Sequence, residues 1–143
     1  LTLANEKAKS RSQAFPNKLV VGCDTIIVYK NSILSKAKNM KEAEKKIKLI
    51  SGDKHTIISA LCVYTNNKRV WQTHQETKVT IRKLNTKQIK KYLNKCGKKI
   101  LHSVGCYQIE TNGPTIIENI DGDYFNVMGI PLFPFLKFLE KTK

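Results

Sequence analysis

The stretch HTIISALCVYTNNKRVWQTHQETKVTIRKL, residues 55–84, decides the architecture of this 143-residue chain. Both arms are rich in β-branched and aromatic residues, and the Asn-Asn-Lys between them is typical of a turn. The second arm alternates apolar and polar residues around Val79 and Ile81, as a strand with one buried face does. The stretch therefore predicts a long β-hairpin.

Capped helices are predicted on both sides of the hairpin. NMKEAEKKIKLISG, residues 39–52, opens with a capping-box spacing and reaches Gly52, a typical residue for a helix end. NTKQIKKYLNKC, residues 85–96, opens with Asn85 and Gln88 at the same spacing. Each segment has one apolar face, so we expect both helices to flank the sheet.

Shorter elements are predicted around this centre. We expect a helix at each end of the chain and short strands in five segments: KLVVGC (18–23), TIIVYK (25–30), VGCYQIE (104–110), PTIIENI (114–120) and FNVMGI (125–130). Turns are predicted at Lys30-Asn31 and Asp121-Gly122. Strands and helices mix without a strict repeat, which favours one α/β domain, residues 1–143, with a mixed sheet flanked by helices.

The charge balance is strongly basic, with 26 Lys and Arg against 11 Asp and Glu and a net charge of +15. Clustered cations can bind nucleic acid by neutralising its phosphates. Only three of the 26 are arginine, however, and a lysine-rich solvated surface is also typical of a protein from a low-GC genome. We therefore expect nucleic-acid binding to be non-specific.

The apolar segments and the cysteines indicate a cellular location. No apolar run approaches the roughly 18 residues that a membrane-spanning helix needs, so no membrane partner is expected. Four cysteines are scattered without a C-x-x-C pair, which favours free thiols in a reducing cytoplasm over zinc or disulfides. The opening residues resemble the middle of a helix, and we expect the parent protein to extend further at its N-terminus.

The segment VVGCDTIIV, residues 20–28, places Asp24 among β-branched residues. At a strand end that faces a cleft, Asp24 could bind a divalent cation or activate water. Alternatively, Asp24 and Thr25 form hydrogen bonds within a local turn. The residues alone leave both interpretations open.

Three further positions carry weaker signals. Lys36 follows the turn after this segment and could neutralise a phosphate, although a lysine there is commonly solvated. His55 opens a strand and could touch a ligand, although a lone histidine at such a place is more often structural. Asp121 belongs to an Asp-Gly pair, which favours a turn over a metal site.

Seven segments in order resemble the Maf family of nucleoside triphosphate pyrophosphatases: LANEKA, VVGCDTIIV, ILSKAKN, ISGDKHT, TKVTIRKL, VGCYQIE and IDGDYFNVMGIPL. The resemblance implies a Maf/ITPase-like α/β structure with a deep cleft, in a cytoplasmic homodimer. It also implies hydrolysis of the bond between the α and β phosphates of non-canonical nucleotides, which releases a nucleoside monophosphate and pyrophosphate. Members of the family are linked to arrest of cell division.

The resemblance assigns catalytic and phosphate-binding roles to three residues. Asp24 matches the aspartate of the family's Asp-Thr motif, the general base and the ligand of a divalent cation, Mg²⁺ or Mn²⁺. Lys7 and Lys36 match lysines that reach the phosphates. The family's Gly-Lys-Pro turn is altered here, because Ser35 and Ala37 flank Lys36.

Three more residues complete the expected substrate contacts, namely Thr25, His55 and Glu110. Glu110 takes the last position of a motif that lies near the base or the phosphates, where a glutamate resembles the branch acting on 7-methyl-GTP. His102 and Ser103 replace the Asp-Lys of the pyrimidine branch, which acts on dTTP and UTP. Thr25 is more typical of that pyrimidine branch, so the comparison favours 7-methyl-GTP only slightly.

The family's phosphate-gripping Ser-x-Ser-Pro-Arg-Arg loop and the glutamate that follows it do not occur in this sequence. We therefore expect residues 1–143 alone to be weakly active or inactive. The alternative function is a non-catalytic Maf-like protein that binds nucleotides or nucleic acid through its basic surface, linked to cell-division arrest.

Overall fold

Side-chain caps fix the starts of the two helices beside the hairpin in the computed structural model, which describes residues 1–143. In α2 (Met40–Ile50) the Asn39 side chain accepts a hydrogen bond of 2.9 Å from the Glu42 amide. In α3 (Thr86–Cys96) both halves of the capping box at Asn85 are formed. Both predicted helices are confirmed.

The long hairpin is also confirmed. Its arms are β3 (Lys54–Thr65) and β4 (Lys68–Ile81). Asn66 and Asn67 form the turn with φ angles of 47° and 64°, in the left-handed region that asparagine tolerates. Val79 is fully buried, as the alternation in the second arm predicts.

The first hairpin differs from the prediction in one respect. Residues 20–29 form one continuous strand, β1 (Val20–Tyr29), where two short strands were expected. Asp24 and Thr25 therefore lie in the middle of a strand, and the alternative of a local turn there is wrong. The predicted turn at Lys30 and Asn31 is confirmed, and it leads into β2 (Ser32–Leu34).

The five strands form one sheet in the order β2-β1-β3-β4-β5, with β5 at Ile117–Asp121. The pairs β1–β2 and β4–β5 are antiparallel, as is the β3–β4 hairpin. The predicted α/β fold, with helices flanking a sheet, is confirmed. The neighbouring strands of these pairs are antiparallel, whereas a mixed sheet was expected.

Three further helices complete the chain, namely α1 (Thr2–Ser12), α4 (Tyr124–Met128) and α5 (Leu132–Lys141). The helices expected at both ends of the chain are therefore confirmed. Pro131 caps the start of α5, where a missing amide hydrogen costs nothing. None of the helices is long and apolar enough to cross a membrane.

Two predicted strands are wrong. VGCYQIE, residues 104–110, forms turns, because Cys106 adopts a φ of 57° that no strand accommodates. FNVMGI, residues 125–130, contains most of α4, because the Asp123 side chain caps the Phe125 amide at 2.7 Å. Of the expected turn residues, Asp121 is the last residue of β5, and Gly122 follows it in a bend with a φ of 140° that leads to α4.

The chain divides into two compact units. Unit 1 comprises Leu1–Thr25, Ile58–Glu76 and Asp123–Lys143, and unit 2 comprises Ile26–Ile57 and Thr77–Gly122. A cluster of buried residues forms a core within unit 1: Ala4, Ala8, Ala60, Cys62 and Tyr64. The fully buried side chains of unit 2 include the apolar faces of its two helices: Ile47, Ile50 and Ile89.

Candidate functional site

Asp24 on β1 is paired with Lys7 on α1. The Lys7 Nζ atom lies 2.8 Å from Asp24 Oδ1 and donates a second hydrogen bond, of 3.0 Å, to the Cys23 carbonyl oxygen. The Asp24 side chain is 22% exposed, and its Oδ2 atom makes no hydrogen bond within the chain. Since an ammonium carries three N–H groups, the third of Lys7 is free to meet a ligand.

A glycine brings the two residues together. A Cβ atom at Gly22 would lie 2.2 Å from the Ala4 carbonyl oxygen and 2.7 Å from the Ala8 backbone nitrogen. Only glycine therefore lets the backbone of α1 lie this close to β1. Ala4 and Ala8 are fully buried against the strand, and Lys7, between them along the helix, reaches Asp24.

Hydrogen bonds hold the residues on either side of Asp24. The Thr25 hydroxyl lies 2.9 Å from the Ser59 hydroxyl on β3 and donates to the Gly129 carbonyl oxygen at 3.3 Å. The Cys23 thiol donates to the same carbonyl at 2.9 Å. Burial raises the pKa of the Cys23 thiol, which keeps it protonated as a donor.

A buried polar network extends from Ser59 to α4. The Ser59 hydroxyl donates to the Asn126 carbonyl oxygen at 3.0 Å, and the Asn126 side-chain amide donates to the Gln75 carbonyl oxygen at 3.1 Å. Ser59 and Asn126 are both fully buried. This network anchors α4 and the following Gly129 beside the strand that carries Asp24.

Sequence reasoning missed these supporting residues. A glycine inside a β-branched run, as at Gly22, is a recognised sign of close backbone approach and could have been used. The two ends of α4 could also have been recognised in the sequence. Asp123 is a typical capping residue at a helix start, and Gly129, with a φ of 118°, is typical of a helix end. Nothing in the local sequence marks Ser59, because its partners are distant along the chain.

The remaining predicted substrate contacts lie in unit 2. Lys36 is exposed in the segment after β2, and Glu110 is exposed in a turn after the 3₁₀ helix at Lys98–His102. The structure thus brings Lys7, Asp24 and Thr25 together within unit 1. The substrate roles of Lys36 and Glu110 stay predictions.

His55 is buried, with 2% of its surface exposed. Its Nε2 atom lies 2.5 Å from the Tyr107 hydroxyl, and the two rings contact each other. Burial lowers the pKa of His55 to about 4, so the ring is neutral at pH 7. These observations favour the structural alternative for His55 over direct contact with substrate.

The buried histidine predicts a pH dependence of stability. Between its ordinary pKa of about 6.5 and its folded pKa of about 4, only the unfolded chain binds the proton. The free energy of unfolding is therefore expected to fall by about 2 kcal/mol between pH 7 and pH 5. Urea unfolding at both pH values measures the loss, which His55→Gln should largely remove and the exposed His74→Gln should retain. Equal losses in all three proteins would contradict this assignment.

The chain provides few ligands for a metal ion. No group of three or more His, Cys, Asp or Glu side chains is close enough to hold an ion. Beside Lys7, Asp24 offers one carboxylate oxygen, Oδ2, that makes no hydrogen bond within the chain. A cation that is held partly by substrate phosphates fits such a single carboxylate.

Comparison with known proteins identifies the family. Residues 1–142 match the family described as Maf-like protein. The chain is 40% identical to the 7-methyl-GTP pyrophosphatase of Bartonella quintana (strain Toulouse), over 94% of this chain and 68% of that protein. It is 36% identical to the 7-methyl-GTP pyrophosphatase of Rhizobium meliloti (strain 1021), over 99% of this chain and 71% of that protein. It is 32% identical to the nucleoside triphosphate pyrophosphatase of Ruegeria sp. (strain TM1040), over 96% of this chain and 69% of that protein. The chain therefore belongs to the Maf-like protein family.

Proposed function

We propose that the protein is a nucleoside triphosphate pyrophosphatase, which splits the bond between the α and β phosphates to give a nucleoside monophosphate and pyrophosphate. The observation that carries this proposal is the Lys7–Asp24 pair at 2.8 Å, in which the Asp24 side chain is half-buried on β1 and the Lys7 side chain is exposed. Relatives that bear pyrophosphatase names support the same reaction. A carboxylate beside a cation is the arrangement that water activation next to a phosphate requires.

Asp24 and Lys7 perform complementary tasks in the proposed reaction. The Asp24 Oδ2 atom accepts a hydrogen bond from a water molecule and then takes its proton, while the water oxygen bonds to phosphorus. The bond to the bridging oxygen breaks, and pyrophosphate leaves with the bridging electrons. The free N–H of Lys7 donates to a phosphate oxygen and stabilises the charge that develops there. Lys36 is proposed as a second cation on the phosphates.

A divalent cation fits this proposal. Asp24 is the residue that would hold it, because its carboxylate has about four lone-pair sites and Lys7 occupies only one of them. Mg²⁺ is commonly held by one or two carboxylates together with substrate phosphates. Such a cation supplies charge neutralisation at the phosphate oxygens. The family resemblance implies that this cation is Mg²⁺ or Mn²⁺.

We propose 7-methyl-GTP as the preferred nucleotide, with dTTP or UTP as the alternative. Methylation at N7 leaves the guanine ring with a positive charge and with N–H donors on its edge. A carboxylate attracts the charge and accepts hydrogen bonds from the donors, whereas a neutral amide accepts hydrogen bonds but does not attract the charge. Glu110 is exposed and can present its carboxylate to such a base. The names of several relatives support this nucleotide.

Replacing Glu110 tests the specificity. In Glu110→Gln the ratio of kcat/KM for 7-methyl-GTP to kcat/KM for dTTP is expected to fall about tenfold, because a charged hydrogen bond becomes a neutral one. Pyrophosphate release on both nucleotides measures the ratio in the full-length protein. The exposed Glu118→Gln on β5 makes the same chemical change and should leave the ratio unaltered. An unchanged ratio in both variants would refute the role of Glu110.

A further inference from the structure

The positive charge of the chain is concentrated in one segment. Residues 77–109 contain nine of the 26 Lys and Arg and none of the 11 Asp and Glu. The segment runs through the end of β4 and the whole of α3 in unit 2. The helix α2 differs in this respect, because two glutamates lie among its lysines.

Three lysines form a stripe along α3. Lys87, Lys91 and Lys95 are spaced four residues apart, so they lie on one face with a rise of about 6 Å between neighbours. All three are exposed, and none forms a salt bridge. Like charges at this spacing destabilise a helix, and an anion that bridges them would relieve the repulsion.

A groove lies beside this stripe, with a volume of about 350 Å³. Its cations are Arg82, Lys83, Lys91 and Lys95, and its apolar walls include Leu84 and Ile116. The volume lies within the usual range for a small-ligand site.

Two contacts show what the groove offers a ligand. The Arg82 Nε atom donates to the Ile117 carbonyl oxygen at 3.3 Å, which holds the guanidinium and leaves its terminal nitrogens for an anion. The Gln88 Oε1 atom accepts from the Asn85 amide at 2.8 Å, which leaves the Gln88 amide nitrogen to donate. A neighbouring depression shares Lys91 with the groove and adds Lys87. Cationic side chains therefore line α3 both in the groove, which has apolar walls, and in the depression beside it.

We propose that this surface, the α3 groove with its lysine stripe, binds a single-stranded nucleic acid. The lysines meet successive backbone phosphates, and the apolar walls take an unstacked base whose edge reaches Gln88. An inorganic phosphate chain would leave the apolar walls unused, and a duplex keeps its bases stacked. The inference does not involve Asp24 or Lys7 and is independent of the proposed hydrolysis.

Fluorescence anisotropy with labelled twelve-nucleotide U and dT oligonucleotides tests the proposal on the full-length protein. The triple variant Lys87→Gln, Lys91→Gln and Lys95→Gln is expected to bind about tenfold more weakly at 0.1 M salt. Its plot of log Kd against log salt concentration should lose about 2 units of slope, at about 0.7 per phosphate contact. The triple variant should keep its pyrophosphate release.

A matched control carries the same charge change elsewhere. Lys41→Gln, Lys45→Gln and Lys137→Gln remove three exposed lysines outside residues 77–109, and should weaken binding less than threefold. Equal weakening in both triple variants would overturn the proposal, because binding would then follow net charge alone. Should the stripe variant unfold, Lys91→Gln alone tests the same point, with an expected loss of about threefold.

Competition separates a nucleic-acid strand from other phosphate chains. At equal phosphate concentration, inorganic polyphosphate and a twelve-base-pair duplex are expected to displace the oligonucleotide less effectively than an unlabelled single strand. Equal displacement by polyphosphate would overturn the role of the apolar walls. Equal displacement by the duplex would overturn the choice of a single strand.

Discussion

Asp24→Asn is expected to lower kcat for pyrophosphate release about a thousandfold, the usual contribution of a general base. Asparagine has nearly the same shape and still accepts the hydrogen bond from Lys7, which spans 2.8 Å in the native pair. The amide, however, cannot take a proton from water. KM should stay the same or fall, because Lys7 then faces the phosphates without a competing carboxylate.

Steady-state pyrophosphate release by the full-length protein with Mg²⁺, across a panel of nucleotides, measures this effect. Asp121→Asn, at an exposed position on β5, makes the same chemical change outside the proposed site and should retain the native rate. A rate for Asp24→Asn within a factor of two of the native rate would show that Asp24 is not the base.

Gly22→Ala is expected to lower the free energy of unfolding by about 3 kcal/mol, near the upper end of the range for overpacking. Its Cβ would meet backbone atoms of α1 at 2.2 and 2.7 Å, and backbone cannot move aside as a flexible side chain can. The helix must shift outward, which separates Lys7 from Asp24. Pyrophosphate release should therefore fall as well, even under conditions where the variant remains folded.

Urea unfolding of two glycine variants separates the clash from the general effect of losing a glycine. Gly97→Ala adds the same methyl group where no atom lies within 4 Å, and its only cost is a φ of 70°. With ψ at −173° the backbone of Gly97 lies in a region almost exclusive to glycine, and we expect that strain to cost about 2 kcal/mol, with full activity. A loss at Gly22 no larger than the loss at Gly97 would mean that α1 adjusts freely.

Elements with local signals were predicted well from the sequence. The caps of α2 and α3 involve residues three positions apart, so the sequence displays both partners of each hydrogen bond. The Lys30-Asn31 and Asn66-Asn67 turns likewise contain asparagine, which tolerates positive φ. The homodimer, the cytoplasmic location and the N-terminal extension stay predictions of the resemblance and the composition.

The errors arose where distant partners decide the conformation. Asp24 interrupts an apolar run and so suggested a turn, but the strand continues, and its carboxylate pairs with Lys7 on another element. The backbone near Cys106 cannot extend as a strand, and the Tyr92 hydroxyl donates to the Cys106 carbonyl oxygen at 2.9 Å. Such long-range contacts override β propensity, and a single sequence does not display them.

The candidate site was predicted in part. The segment around Asp24 indicated a carboxylate of interest, and only the family resemblance connected it with Lys7. The supporting hydrogen bonds of Ser59 and Asn126 could not be predicted, because each of them joins segments far apart in the chain. For the same reason the local sequence could not decide between the two alternatives for His55.

The Lys7–Asp24 pair has a consequence for protein engineering. In the proposed reaction the Lys7 ammonium ties α1 to β1 with two of its N–H groups and offers only the third to a phosphate, so a change that draws the third N–H into the chain leaves none for the substrate. Variants selected for heat resistance through a tighter pair should therefore hydrolyse nucleotides more slowly. Stabilising changes are better placed in unit 2, away from this contact.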